Sequence, residues 1–316
     1  MKKGRMAIIG VAVLLVLAML IPVSCISVPS GVGGDKIAVI PLTGAITGTS
    51  GPLTYGGVIT PDLVREQLKR AEEDSTVKAI ILRVESPGGG VAPCQEILEE
   101  IEQAKQSKPV VVSMGSMAAS GGYYISCKAD KIVALSGTLT GSIGVIAQIP
   151  NLKGLFDKLG IEMQTFTGGE HKDMYAGYRN LTPEEQEIMQ SLVDDYYEQF
   201  IDVVAEGRGM DKEEVRSLAT GQLYTGVEAK ELGLVDELGG LDKAVEVATE
   251  LSGAVSPRVE YYKPRPISIL SELFELSSSE LSSLLKLRLL GLGGEDIVLL
   301  ETLTRAYPQP RYLVSP

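Results

Sequence analysis

Three short runs, VKAIILRV at 77–84, PVVVSM at 109–114 and KIVALS at 131–136, are apolar almost without a break. A strand with one wet face alternates apolar and polar residues, whereas a strand covered on both faces reads as one continuous apolar run. Between the runs, PDLVREQLKRAEE (61–73) and VAPCQEILEEIEQAKQS (91–107) space their apolar residues at three and four, which is the helical period. Thr60 stands at the N-cap position of the first of these, with Pro61 at the first helical position. Strand, helix and strand joined by short turns make βαβ units, and hence an α/β fold on a parallel sheet. KIAVIPLTGAI supplies an earlier strand. YYISCKA is expected to continue as a helix after a serine turn. TGSIGVIAQI and EMQTFTG are expected strands on either side of a helical NLKGLFDKLG.

Thr182 and Glu185 form a capping box that opens a long helix, with Ile188, Leu192, Tyr196, Phe200 and Val203 on one face. Asp211 and Glu214 form a second box, and residues 225–252 hold two short helices. At 316 residues the chain is long enough for a substantial core. A net charge of −12, with no basic patch interleaved with aromatics, argues against nucleic acid as a partner.

The amino end has a different character. Lys2, Lys3 and Arg5 precede a stretch, Met6 to Gly34, without a charge. That exceeds the usual core of a cleaved leader, ~7–15 residues, and suffices for a spanning helix of ~20. The expectation is an uncleaved membrane anchor over 1–28 with a cytoplasmic amino end, which leaves the body on the extracytoplasmic side of the cell membrane. A cleaved signal peptide is the alternative. A Pro/Gly/Ser linker follows at 29–36, then a globular domain over 37–256. Residues 257–316 form an amphipathic, serine-rich extension and tail. Cys25 lies in the apolar run, while Cys94 and Cys127 read as small buried hydrophobes rather than as a disulfide pair.

One histidine, His171, excludes HExxH and histidine-rich metal sites, and GxxxxGK[ST] is absent. No metal or cofactor is expected. Two glycine-rich turns remain, SPGGG at 86–90 and SMAASGG at 116–122, each directly after a buried strand. In a parallel sheet such turns share the carboxyl edge, where ligands bind. Backbone N–H groups in them could converge as an oxyanion hole. Ser120, followed by Gly121 and a helix start, is the best placed nucleophile. Either turn alone is commonly structural; their pairing on neighbouring strands favours function. A serine nucleophile needs a base, and TGGEHKDMYAG offers His171 and Lys172 side by side. Histidine is ready near neutral pH but would need an orienting carboxylate. Lysine must be made neutral by its surroundings. These arguments leave the choice open.

SPGGG (86–90), MGSMAASGGYYIS (114–126), TGSIGV (140–145), GEHKDM (169–174) and YTGVEAKELGLVDELGG (224–240) together resemble, in order, the signal peptide peptidase A family of serine peptidases. The resemblance implies a Clp protease/crotonase-like fold of stacked βαβ units, with Ser120 as nucleophile and Lys172 as general base in a Ser–Lys dyad. It implies that Ser142 holds the lysine, and that Gly88 or Gly89 together with Gly121 supplies the oxyanion N–H groups, nucleophile and base coming from one chain. It also implies a membrane-anchored endopeptidase for remnant signal peptides and other short apolar peptides, working as a homo-oligomer. A crotonase-like acyl-CoA enzyme and a non-catalytic membrane scaffold are the alternatives.

Overall fold

A computed structural model describes residues 34–49 and 57–262. Most of the expected membrane run, with Cys25, and the extension beyond 262 lie outside the described residues. Among the described residues, no helix is long and apolar enough to cross a membrane.

The expected apolar runs form the middle of a sheet. Strand β1 (Lys36–Thr43) pairs in parallel with β4 (Val77–Ser86), β4 with β5 (Val110–Ala119), and β5 with β6 (Lys131–Ala134). Two short strands, β2 (Ala45–Ile46) and β3 (Val58–Ile59), pair separately above β1. The alternation of side chains explains why these runs are apolar throughout. Ile40, Leu42, Ile80, Leu82, Val110 and Val112 point to one core, whereas Ile37, Val39, Ala79, Ile81, Val111 and Val133 point to the other. The first core is covered by helices α1 (Pro61–Glu73) and α2 (Val91–Lys105). Thr60 caps α1 as expected, accepting from the Leu63 N–H at 3.3 Å.

Helix α3 spans only Gly121–Tyr124. The chain beyond it tightens into turns, with the Ser126 N–H donating to Tyr123 O, so YYISCKA does not stay helical. TGSIGVIAQI pairs only over β7 (Leu139–Gly141). There Ser142 turns to a positive φ of 50° and leaves the ladder. EMQTFTG is unpaired and exposed, and among the described residues no strand pairs with it. The helix between them, α4, is Lys153–Leu159.

Helix α5 (Pro183–Arg208) starts from the expected capping box and buries Phe200, Ile201 and Val204 at its far end. Leu192 and Tyr196, on the expected apolar face, stay 38% and 40% exposed. At α6 (Lys212–Leu218), Asp211 caps the Glu213 N–H instead of forming a full box. Strand β8 (Leu223–Thr225) runs antiparallel to β7. After it come α7 (Gly226–Glu231) and β9 (Glu237–Leu238), the latter on the β6 edge. Helix α8 (Leu241–Ser252) covers the second core through Ala244, Val247 and Ala248. The sheet then takes in β10 (Arg258–Tyr261), which pairs with β1 beyond the expected domain boundary at residue 256.

Candidate active site

The carboxyl edge of the sheet brings two serines together through register alone. β5 and β7 pair in parallel with Ala119 opposite Gly141, so the next residue of each strand is a serine, Ser120 beside Ser142. Both leave their strands at positive φ, 51° and 50°, a region that costs a non-glycine residue about 1–3 kcal/mol. The surroundings hold that strain. The Ser120 N–H donates to Gly141 O and the Ser142 N–H to Gln222 O, each at 2.8 Å. Buried Thr138 and Thr140 tie β7 to β5 by donating to the carbonyls of Gly115 and Ala118 at 2.7 Å. On the other side, the Glu85 carboxylate accepts from the Ser116 and Met117 N–H groups, at 2.7 and 3.1 Å. The end of β5 is thereby fixed from both flanks.

The glycine turn after β4 packs directly against this point. Gly88 has φ +103°, and a Cβ there would lie 2.6 Å from the Gly121 nitrogen and 2.9 Å from the Ser120 Cβ. A side chain at Gly121 would meet Cys94 Sγ at 2.6 Å and the Gly89 nitrogen at 3.0 Å. Only glycine permits this approach. The Gly88 N–H donates to buried Ser86 Oγ at 3.1 Å, so it is already engaged. That leaves the Gly89 and Gly121 N–H groups as the candidate pair beside Ser120.

Gly89, Ser120, Gly121 and Ser142 all line one cavity of about 530 Å³, a size ordinary for ligand pockets. Its floor is apolar: Cys94 from α2, Tyr124 from α3 and Phe200 from α5, with the last two rings edge-to-face at 5.1 Å between centroids. Burial pushes the Cys94 thiol up to about 12, so it serves as a wall and not as a nucleophile. Tyr197 OH donates to Ala219 O and Tyr224 OH to Leu218 O, both at 2.8 Å, which holds the loop on the opposite wall. The helical pattern marks Cys94 and Phe200 as apolar-face residues, but it does not separate a pocket floor from plain core.

The candidate bases sit elsewhere. Among the described residues lining the cavity there is neither lysine nor histidine. Lys172 is exposed, on a turn where its N–H donates to Gly169 O at 3.3 Å. The segment is therefore not the extended one that would send adjacent side chains to opposite faces. His171 is half-buried and faces the carboxylates of Glu184 and Glu185 at 3.8 and 3.9 Å. Residues 145–182 form an arm with few buried side chains. Ile146 is 82% and Phe166 93% exposed, and Leu155, Leu159, Ile161 and Met163 are exposed as well. Among the described residues, no group of three or more His, Cys, Asp or Glu side chains is placed to hold a metal.

A strained serine at a strand end, beside free backbone N–H groups and an apolar cavity, is the constellation of a serine hydrolase. Comparison with known proteins gives the family. The sequence profile of Peptidase family S49 matches residues 102–255, which include Ser120, Ser142 and Lys172. The chain is 43% identical over 225 residues to slr0021 of Synechocystis sp., with 71% of this chain and 77% of that protein aligned. It is 41% identical over 240 residues to Protease 4 of Salmonella typhi, where 75% of this chain aligns with only 38% of that longer protein. The fold is similar, at a TM-score of 0.50 and 19% identity, to a mutant of the 1510-N membrane-bound stomatin-specific protease in complex with a substrate peptide. That match covers 77% of this chain and 99% of the other. The chain belongs to peptidase family S49 and is a serine peptidase.

Proposed function

We propose that this chain is a membrane-anchored, Ser–Lys endopeptidase that degrades short apolar peptides, including signal peptides left in a membrane. The observation that carries the reading is Ser120 held at positive φ beside the Gly89 and Gly121 N–H groups, at the mouth of an apolar cavity. Lys172 in its neutral form takes the proton from Ser120 Oγ, and Oγ attacks the peptide carbonyl. The Gly89 and Gly121 N–H groups hold the oxyanion. The protonated lysine then gives its proton to the leaving amine, and water activated by Lys172 releases the acyl group. Ser142, at the cavity beside Ser120, orients the lysine.

Within one chain Lys172 is off the cavity wall, and the arm that carries it exposes a series of large apolar side chains. Both features fit, in place of the single-chain dyad that the resemblance implies, a homo-oligomer in which the arm docks on a second copy and sets Lys172 against that copy's Ser120. The apolar run within residues 1–28 anchors the chain, with the peptidase domain on the extracytoplasmic side. The test is hydrolysis of an apolar peptide by the full chain in detergent. Ser120→Ala and Lys172→Ala should each abolish it, and the double variant should be no worse than either. Full activity in Lys172→Ala together with loss in His171→Ala would replace the dyad by a Ser–His pair.

A further inference from the structure

The arm that carries Lys172 has almost no apolar core, yet it is tied to a carboxylate that is nearly inaccessible. The Glu185 side chain is 2% exposed, in the first turn of α5. It is held by Arg179, and the same guanidinium holds Asp173, the residue after Lys172. Arg179 Nε and Nη2 donate to the two Asp173 oxygens at 3.0 and 2.6 Å. Nη1 and Nη2 donate to the two Glu185 oxygens at 2.8 and 2.6 Å. The remaining Nη1 hydrogen goes to Asn180 O at 3.0 Å, so all five guanidinium hydrogens are used. Glu185 also accepts the Thr182 N–H at 2.8 Å, closing the capping box. Asp173 accepts from Tyr178 OH at 2.9 Å, and that hydroxyl in turn meets Thr165.

We infer that Arg179 is a positioning residue for the reaction: by bridging Asp173 to the capped start of α5, it locks the turn that presents Lys172. This rests on Lys172 being the base. Two carboxylates gripped by one planar fork fix direction as well as distance. A solvated loop with no such grip would leave a four-carbon lysine side chain without a defined base. A structural brace could have been placed anywhere on the arm. This one is built on the residue adjoining Lys172, and it draws in residues on both sides of the turn, Thr165 and Glu185.

The full chain in detergent is compared with Arg179→Gln, Arg179→Lys, Asp173→Asn, Lys172→Ala and the Lys172→Ala/Arg179→Gln double variant. Two substrates are used: an apolar peptide, and an activated ester whose leaving group needs no proton. The ester keeps a measurable residual rate when the base is gone. Arg179→Gln should lower kcat on the peptide about 100-fold, the cost of misplacing a catalytic group by about an ångström, with KM within about twofold. Arg179→Lys, which keeps the charge without the fork, should recover only part of this. On the ester, Arg179→Gln should slow the wild type yet add nothing to Lys172→Ala, because its effect passes through the lysine.

Equal losses in both backgrounds would show a structural brace and overturn the inference. So would wild-type kcat in Arg179→Gln. If Arg179→Gln does not fold, Asp173→Asn, which keeps the Arg179–Glu185 pair and the cap, carries the test by the same double comparison. Full peptidase activity in Lys172→Ala would instead sink the dyad itself. An inactive Lys172→Ala beside a normal Arg179→Gln would leave the dyad standing and remove only the positioning role.

Discussion

The two halves of the proposed dyad are built by different means. Ser120 ends a strand buried on both faces, and its neighbours are fixed by strand register, by two buried threonines and by backbone packing so close that only glycine fits. Lys172 lies on an arm held by polar contacts, among them the Arg179 clamp, the Leu152 N–H to Gly177 O bond and the Asn151–Asn180 side-chain pair, with most of its large apolar side chains turned outward. Strain at a nucleophile can be held only where the surrounding structure over-determines it, and the sheet provides that. A base has to be brought in and made neutral, and a mobile or intersubunit element can do this. On the proposed reading, the nucleophile is complete in one chain while the base would be completed by assembly.

The strongest test separates those halves in different molecules. Ser120→Ala and Lys172→Ala should each lose at least about 10⁴-fold in kcat. If the base is delivered across an interface between copies, an equal mixture of the two dead variants regains about a quarter of wild-type activity, since random pairing leaves about one site in four intact. A mixture as dead as its components, measured after co-assembly, would place both residues in one chain and remove the contrast.

Next in size is the glycine at the junction of the two turns. Gly88→Ala puts a methyl group 2.6 Å from the Gly121 nitrogen at a backbone φ of +103°. The nitrogen it displaces is a proposed oxyanion donor, so kcat should fall by about 10²–10³, and unfolding stability should fall by more than about 1 kcal/mol. The equivalent change on the arm, Gly168→Ala, meets nothing within 4 Å and should leave the melting temperature unchanged. Equal sensitivity at both positions, measured by thermal unfolding and steady-state kinetics, would contradict the division into a rigid and an adaptable half.

How much could be read from sequence follows the same division. Continuous apolar runs identify buried parallel strands, because only burial on both faces removes the alternation. Thr60, Thr182 and the glycine turns stand where local chemistry demands them, and the structure keeps them there. The arm defeats this kind of reading. TGSIGVIAQI and EMQTFTG have strand composition, but a strand forms only where a neighbouring edge exists, and among the described residues the ladder ends at Gly141, with backbone bonds to 221–222 reaching only Ser142 and Ile143. Leu192 and Tyr196 repeat at the helical period yet stay exposed. The pattern is sound as a statement about an apolar face, but silent on what covers it. Arg179, Asp173 and Glu185 come together only through the turn, so no spacing rule announces the clamp.

The exposed face supplies a prediction of intermediate size. Leu159→Ser with Phe166→Ser removes two exposed large apolar side chains of the arm, at 62% and 93%, that do not line the cavity. Exposed apolar clusters on one element mark an association surface. The double variant should sediment as a smaller species and lose activity by about tenfold or more as subunits dissociate, while the sheet core melts at the wild-type temperature. An unchanged sedimentation profile would mean that these side chains serve something other than the contact between copies.

The smallest effect tests the clamp by acid. Arg179 beside Glu185, helped by the Thr182 N–H, holds the Glu185 carboxyl down at about 2, below the ordinary glutamate value of about 4.3. A carboxyl lowered by folding adds stability that is complete above the unfolded value. That stability fades as pH falls towards the folded value. The arm's amides, at 171–180, should therefore lose hydrogen-exchange protection between about pH 4.5 and 2, in a window where the apolar sheet core keeps its own. Asp173, also lowered by Arg179 and by Tyr178, titrates in the same sense and deepens the loss. In Glu185→Gln the carboxylate is gone, so the arm should start less protected at pH 7 and change less on acidification. Protection that falls equally at the arm and at β5 would mean that acid acts on the whole domain and that the clamp has no separate stability.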